Sequence, residues 1–319
     1  MGLSLIDLNQ ELPMQVLVTG ASGHIGSAVV PELLQAGHDV VGLARSDASA
    51  AALEMAGATV RRGDLDDLDG LRAGAAESDG VIHLAFRHDL MQVGDMEAAA
   101  AADLAAIRAL TEPLVGTEKP FVGTSGTGLL VLGELGRTGT EEDVLSGGYR
   151  IDAENLVIGL GEQGVRSSVV RLPPTVHSDL DKHGFIPTLI AQARQTGRAG
   201  YLREGSNRWP AVHTLDAARL YRLALEGAPA GTRLHGVADE GVPLRDIAET
   251  IGRRLGVPAA SIPDEEAAAQ FTFLATFVGW DNPTSSQRTR QLLNWEPTHA
   301  GLIADMDEGH YFAQAEVAA

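Results

Sequence analysis

The chain contains no cysteine. Disulfides, thiolate metal sites and a cysteine nucleophile are therefore excluded, while the redox compartment stays undecided. Aromatic residues are scarce, with 7 Phe, 4 Tyr and 3 Trp among 319 residues, too few for a base-stacking platform. Cations are also in deficit: 24 Lys and Arg stand against 43 Asp and Glu, for a formal charge of -19. Phosphate backbones and anionic lipid repel such a chain, which argues against a nucleic-acid or membrane-surface partner. No apolar run reaches the roughly 18 residues needed to cross a bilayer. The N-terminus, MGLSLIDLNQELP, lacks the basic and apolar regions of a secretory signal. A cytoplasmic protein acting on a small molecule is the expectation. Ten His residues occur without metal-ligand spacing, and GxxxxGK[ST] is missing, so neither a metal nor triphosphate hydrolysis is expected.

What is present has ordinary globular composition, 44% hydrophobic and 21% charged, enough for one large or two modest domains. Periodic structure begins at Met14, leaving residues 1–13 as an N-terminal extension. Short apolar runs at 15–19, 40–44, 58–61, 80–84, 121–124 and 167–172 alternate with helical stretches such as 25–36 and 96–110. Near-continuous apolar strands separated by helices predict a doubly wound parallel α/β sheet, covered on both faces. Residues 14–172 form the expected dinucleotide-binding domain. After Pro173-Pro174 helices dominate, at 185–196, 215–225 and 244–255, so residues 173–319 are expected to form a smaller, mainly helical substrate cap, with about 211–240 returning to the sheet.

The strongest motif is Thr19-Gly20-Ala21-Ser22-Gly23-His24-Ile25-Gly26, placed between the first strand and the first helix. Gly20 permits the tight turn, Gly23 lets the backbone approach a pyrophosphate, and Gly26 allows close packing of helix on strand. The phosphate then sits on free N–H groups of Ser22, His24, Ile25 and their neighbours at the helix N-terminus. The second strand ends Leu43-Ala44-Arg45-Ser46, without the carboxylate that binds a ribose 2′-hydroxyl. Arg45 can instead pair with a 2′-phosphate, which favours NADP over NAD.

These residues resemble the extended or atypical short-chain dehydrogenase/reductase superfamily, the group that holds nucleotide-sugar epimerases and 3β-hydroxysteroid dehydrogenase-like proteins. The resemblance spans nearly all of 14–319. It includes Asp64-Leu65, similar to the adenine-contacting pair; Leu84-Ala85 after His83, similar to the segment beside the cofactor; Arg171-Leu172-Pro173, similar to the Arg-Pro turn; Val212–Ala218; and Asn294-Trp295-Glu296-Pro297. It implies cofactor contacts at these residues, at Thr124 and at Pro173. It also implies a homodimer and a catalytic Ser/Thr, Tyr and Lys, the last two spaced Y-x-x-x-K.

That catalytic motif is broken, and two registers compete. Tyr149 in the Tyr position leaves Ala153 where the Lys belongs; Arg150 in the Lys position leaves Ser146 where the Tyr belongs. Glu154 stands four residues after Arg150, and Arg171 follows it by 21; both spacings match the family and favour the second register. A Ser hydroxyl is a far weaker acid than a phenol, whose pKa is about 10. The candidate catalytic groups are thus Ser125 or Thr127, Tyr149 and Arg150. Gly123-Thr124-Ser125-Gly126-Thr127 only approximates a hydrolase elbow and leaves the dinucleotide turn unexplained. Arg208, Trp209 and His213 are candidate substrate contacts, with core packing as the competing reading of Trp209. The expected function is NADP-dependent hydride transfer to or from a small or medium carbonyl or alcohol. The alternatives are a non-catalytic NADP-binding regulator and a nucleotide-sugar epimerase or dehydratase.

Overall fold

The computed structural model describes residues 13–313. The extension expected over 1–13 falls, but for Pro13, outside the described residues.

The first half alternates strand and helix: β1 (Gln15–Thr19), α1 (Gly26–Gln35), β2 (Asp39–Ala44), α2 (Asp47–Met55), β3 (Thr59–Arg62), α3 (Leu68–Glu77) and β4 (Gly80–His83). It continues with α4 (His88–Gln92), α5 (Met96–Thr111), β5 (Pro120–Gly126), α6 (Ile151–Gly159) and β6 (Arg166–Leu172). Helix starts carry their own caps: Ser46, Asp67 and Asp95 accept from the N–H groups of Ser49, Gly70 and Ala98, satisfying donors that a helix start leaves unpaired.

The second half comprises β7 (Thr175–His177), α7 (Phe185–Thr196), β8 (Ala199–Leu202), β9 (Arg208–His213), α8 (Thr214–Gly227) and β10 (Thr232–His235). It ends with β11 (Asp239–Pro243), α9 (Leu244–Leu255), β12 (Ala259–Ile262), α10 (Ala267–Phe271), α11 (Gln287–Leu293) and α12 (Leu302–Glu308).

Seven parallel strands form one sheet in the order β10-β6-β5-β4-β1-β2-β3. This is the doubly wound parallel architecture read from the sequence. Its central strands β1, β4 and the first half of β5 are buried almost throughout, because both faces of the sheet are covered. In β1, Val16 and Val18 join the core beneath α1 and α8, whereas Leu17 joins the core beneath α3, α5 and α6. Strand order reverses between β1 and β4, and ligands of such sheets sit at that switch point, outside the carboxyl ends.

Helix α8 packs on α1 and carries the chain back to β10, the seventh strand. Beyond these, a separate core gathers Ile186, Ile190, Trp209, Ile247, Ile251, Leu274 and Met306. Two small sheets, β11-β9-β7 and β12-β8, accompany the helices there. Their strands are too short and too mixed in burial to announce themselves as apolar runs.

Candidate active site

The Gly-rich turn leaves β1 at the switch point and folds against the end of β4. Gly20 has φ +68°, and a Cβ there would lie 2.7 Å from the Ala85 nitrogen; a Cβ on Gly26 would overlap the Gly20 carbonyl oxygen. The turn is held by Gly23 N–H donating to Gly20 O at 3.0 Å, with Ser22 and Gly23 exposed above it. A cradle of bare backbone at a helix N-terminus fits a dinucleotide pyrophosphate. Leu84 and Ala85 close its side, their N–H groups donating to the carbonyl and hydroxyl of Thr19. His24 leaves the turn sideways: it shares a 2.9 Å hydrogen bond with Thr214 and lies 3.9 Å from Asp181. Burial, reinforced by His177, lowers its pKa to about 4.

Beneath the turn runs a buried relay that sequence reasoning missed. His83 contacts the Thr19 hydroxyl at 2.7 Å and Asp103 at 3.2 Å. The second oxygen of Asp103, in a residue only 2% exposed, has no partner. A lone Asp on the buried face of the Ala-rich α5 was the available signal.

At the carboxyl end of β5, Thr124 donates to the His83 carbonyl and accepts from the Tyr221 phenol, each at 2.8 Å. Arg150 reaches the same point. Its guanidinium donates to Thr124 O at 2.9 Å and lies 4.1 Å over the Phe86 ring. Arg150 sits just before α6 in the left-handed region, φ +58°, a conformation costly for a side-chain-bearing residue and concentrated at functional sites. The register argument treats it as a residue of the catalytic helix; the structure places it at the entrance to that helix instead. Neighbouring Tyr149 meets Phe86 edge-on. Burial pushes its phenol above the ordinary value, opposed by Arg150 and reinforced by Asp103. Ser146 is exposed. Ser125 is buried within β5, and Thr127 is buried and hydrogen-bonded to Asn282 at 3.1 Å, so neither hydroxyl opens onto solvent.

Glu154 grips Arg171 through two bonds of 2.6 and 3.0 Å and also takes Arg233. Burial alone raises a carboxyl pKa, but these guanidinia more than offset it and hold Glu154 below the usual range. This buried pair ties α6 to β6 and fixes the turn that carries Pro173. At the other edge of the crevice, Arg45 is exposed at the end of β2. Arg62, opposite Ala44 on β3, bonds the Ser46 carbonyl and Asp47. It is a second cation beside the expected one, readable in the run Arg61-Arg62-Gly63-Asp64. Asp64 accepts from the N–H groups of Asp66 and Asp67, and Leu65 is 8% exposed, so this pair shapes the loop after β3.

The three candidate substrate contacts do not converge. Arg208 is held by Asp281 at 2.8 and 3.0 Å. Trp209 is 1% exposed and packs into the second core, which makes it a packing residue rather than a pocket wall. His213 caps α8, accepting from Leu215 N–H, and stacks on His299 at 4.5 Å. The distant segments 212–218 and 294–297 do meet: the Trp295 indole donates to the Asp216 carbonyl, and the Asp216 carboxylate takes the N–H groups of Thr298 and His299. Outside the crevice, ligand-type atoms of Asp305, Glu308 and His310 lie within 4.8 Å of one another, although Asp305 is already engaged by His177 at 2.9 Å.

A seven-stranded parallel sheet with a Gly-rich turn at its switch point defines a Rossmann-type dinucleotide-binding protein. The sequence profile of the NAD dependent epimerase/dehydratase family matches residues 16–234, and the chain belongs to that family, within the extended short-chain dehydrogenase/reductases. It is 47% identical over 301 residues to an uncharacterised protein of Schizosaccharomyces pombe, covering 94% of this chain and 100% of the relative. It is 29% identical over 282 residues to a 2′-dehydrokanamycin reductase of Streptomyces kanamyceticus, covering 85% and 77%. Among solved structures, a UDP-glucuronic acid 4-epimerase of Bacillus cereus, in complex with UDP-glucuronic acid and NAD, superposes with a TM-score of 0.71 at 19% identity, covering 93% of this chain and 98% of that one; this likeness concerns the fold. No helix among the described residues is long and apolar enough to cross a membrane.

Proposed function

We propose that the chain is an NADP-dependent oxidoreductase that moves hydride to or from a carbonyl or alcohol substrate of small or medium size. The observation that carries this reading is Arg150, a cation held at the carboxyl end of β5 by the Thr124 carbonyl, over the Phe86 ring and beside Tyr149; Gly20, Ser22, Gly23, His24, Ile25 and Gly26 form the separate cradle for the cofactor pyrophosphate. A bound nicotinamide supplies or accepts the hydride. Arg150 orients the cofactor ribose and adds positive charge where oxyanion character develops. It cannot release its proton usefully, since a guanidinium pKa exceeds about 12. Tyr149, kept protonated by its raised pKa, is the nearest hydroxyl donor in sequence and holds the proton for the substrate oxygen. Ser125 and Thr127 act from below, as positioning groups of the strand end.

Arg45, aided by Arg62, supplies the 2′-phosphate partner; Asp64, Leu65, Leu84, Ala85, Thr124 and Pro173 complete the cofactor contacts. Residues 173–319, apart from α8 and β10, serve as the substrate cap, with Arg208 and His213 on its polar parts. The reductase name borne by the Streptomyces kanamyceticus relative supports reduction as the reaction class. The same reading carries a cytoplasmic homodimer, checked by analytical ultracentrifugation and by fractionation.

One observation favours a second reading. Ser146 at the Tyr position is exposed, and Tyr149 is less acidic than free tyrosine, as in a protein that binds NADP without turning it over. Titration with NADPH and NADH, followed by a panel of ketones, aldehydes and nucleotide sugars, separates the two. Consumption of NADPH with any member supports the enzyme, and tight binding without turnover supports the binder. Absence of NADPH binding removes both.

A further inference from the structure

Five of the chain's few aromatic side chains form one connected group. Phe185 lies 5.6 Å from Trp209, 6.3 Å from Phe273 and 5.3 Å from Phe277, and Phe277 lies 4.8 Å from Trp280, centre to centre. Trp209 is the buried base of this group. Phe185, Phe277 and Trp280 are half-buried, and Phe273 is 47% exposed. A chain with 14 aromatic residues leaves four of them incompletely covered in one place, and such apolar patches mark contact surfaces.

The position of the group relates it to the crevice. Trp280 lies against Gly128, where a Cβ would come 3.0 Å from the indole; Gly128 is two residues past the end of β5. Asn282, two residues beyond Trp280, bonds Thr127. At the other end, Phe185 follows Gly184, whose N–H donates to Asp181 at 2.8 Å, and Asp181 faces His24 of the Gly-rich turn at 3.9 Å. The group is thus linked at one end to the Gly-rich turn, through Gly184, Asp181 and His24, and at the other to the residues just after β5, through Gly128 and Asn282. Phe86 and Tyr149 stand at the same end of β5, joined to it through Arg150.

The charges nearby are already matched. A cleft of about 350 Å³, bordered by Leu130, Arg137, Arg208, Asp281, Asn282 and Pro283, includes the residues next in sequence to Trp209 and Trp280. Arg208 is held there by Asp281, and Arg137 by Asp143. Both guanidinia have carboxylate partners that a diphosphate would have to displace.

Resting on the oxidoreductase reading above, we propose that Phe185, Phe273, Phe277 and Trp280 form the substrate wall, and that the substrate is a planar, uncharged aryl ketone or aldehyde rather than a nucleotide sugar. Aromatic faces and edges attract a further ring at about 4.5–7 Å between centres, and the group is linked to the residues just after β5 through Gly128 and Asn282. In the reduction, the carbonyl carbon gains hydride from the dihydronicotinamide, the C=O π pair moves to oxygen, and that oxygen takes a proton from the Tyr149 phenol, which solvent reprotonates. The alcohol leaves, and the cofactor is left oxidised.

The test needs no turnover. NADP+ is first titrated into the full chain and into its Trp280→Ala and Phe273→Ala variants; absence of cofactor binding overturns the oxidoreductase reading and this proposal with it. The NADP+-loaded proteins are then titrated calorimetrically with acetophenone, 2-octanone and UDP-glucose. The expected result is acetophenone binding about tenfold tighter than 2-octanone, lost about tenfold in Trp280→Ala and severalfold in Phe273→Ala. NADP+ affinity should stay within twofold throughout. Phe273 is exposed enough that its truncation leaves the fold intact, so a misfolded Trp280→Ala protein does not block the test. With NADP+ bound normally, three results overturn the aromatic wall alone: UDP-glucose binding more tightly than acetophenone, acetophenone affinity unchanged in both variants, or no binding of any of the three.

Discussion

Arg150 donates to the main-chain carbonyl of Thr124 across 2.9 Å while adopting a left-handed backbone conformation just ahead of α6. The bond links the entrance of that helix to the end of β5, where substrate and nicotinamide chemistry belongs in the proposed function. Its consequence is that a charge, rather than a titrating group, occupies this point.

Replacing Arg150 by Ala should abolish turnover and weaken cofactor positioning, while Ser146→Ala changes little, since Ser146 is exposed. Tyr149→Phe decides the proton donor. A fall in kcat of about 10²–10⁴-fold, the usual cost of losing a general acid, assigns that role to Tyr149. An unchanged kcat in Tyr149→Phe makes it structural, and full activity in Arg150→Ala refutes the register.

Arg45→Ala should weaken NADPH binding about ten- to a hundredfold and leave NADH nearly unaffected, because a hydrogen bond to a charged group contributes roughly 1.5–3 kcal/mol. Arg62→Ala should cost NADPH less, since that guanidinium is already shared with Asp47 and the Ser46 carbonyl. Fluorescence titration of both cofactors reads the difference, and equal affinities in the unmutated protein would sink the 2′-phosphate assignment.

The turn offers a graded series. Gly26→Ala forces a methyl into the Gly20 carbonyl, so both stability and NADPH binding should fall, stability by about 1–3 kcal/mol as for other overpacked sites. At Gly23 a Cβ would stand 3.3 Å from the Gly20 oxygen, so Gly23→Val should stay folded yet lose NADPH. Circular dichroism and cofactor titration on the same samples check both halves; a folded Gly23→Val protein that still binds NADPH contradicts the placement.

Glu154→Ala leaves Arg171 buried beside an empty space, and loss of one member of a buried pair costs about 3–5 kcal/mol. Both side chains of that pair are under 5% exposed. Arg208→Ala breaks a half-exposed pair with Asp281 and should cost less than about 1 kcal/mol. Urea unfolding of the two variants should therefore differ severalfold in effect.

Burial lowers the pKa of both His24 and His235 to about 4, from an unfolded value of about 6.5. Between those values the unfolded chain binds more protons than the folded one, so stability rises with pH across that window and is lost as pH falls through it. Tm should drop steadily from pH 7 to pH 4, and His24→Asn should flatten the slope. A Tm independent of pH over that range rules the assignment out.

The Gly-rich turn and the alternating apolar strands were legible because each rests on local spacing, and the register expected for Arg150 rests on spacing in the same way. Thr19 to Gly26 is one contiguous segment between a strand and a helix, and Arg150, Glu154 and Arg171 are related by counted intervals. The partners that give those residues their properties are remote in sequence. Asp103 meets His83 across 20 residues, Thr127 meets Asn282 across 155, and His24 meets Thr214 across 190. Nothing in the composition near position 280 marks Trp280 as a neighbour of Gly128.

Sequence alone thus determined the sheet, its handed alternation of strand and helix, and the backbone cradle, because hydrophobic periodicity and glycine sterics act over a few residues. Only the tertiary structure decided that Trp209 is core, that Arg150 turns toward Thr124 from outside its helix, and that Phe185 meets Phe273 and Phe277. Burial and side-chain direction are set by which distant segments pack together, and a linear chain does not carry that information position by position.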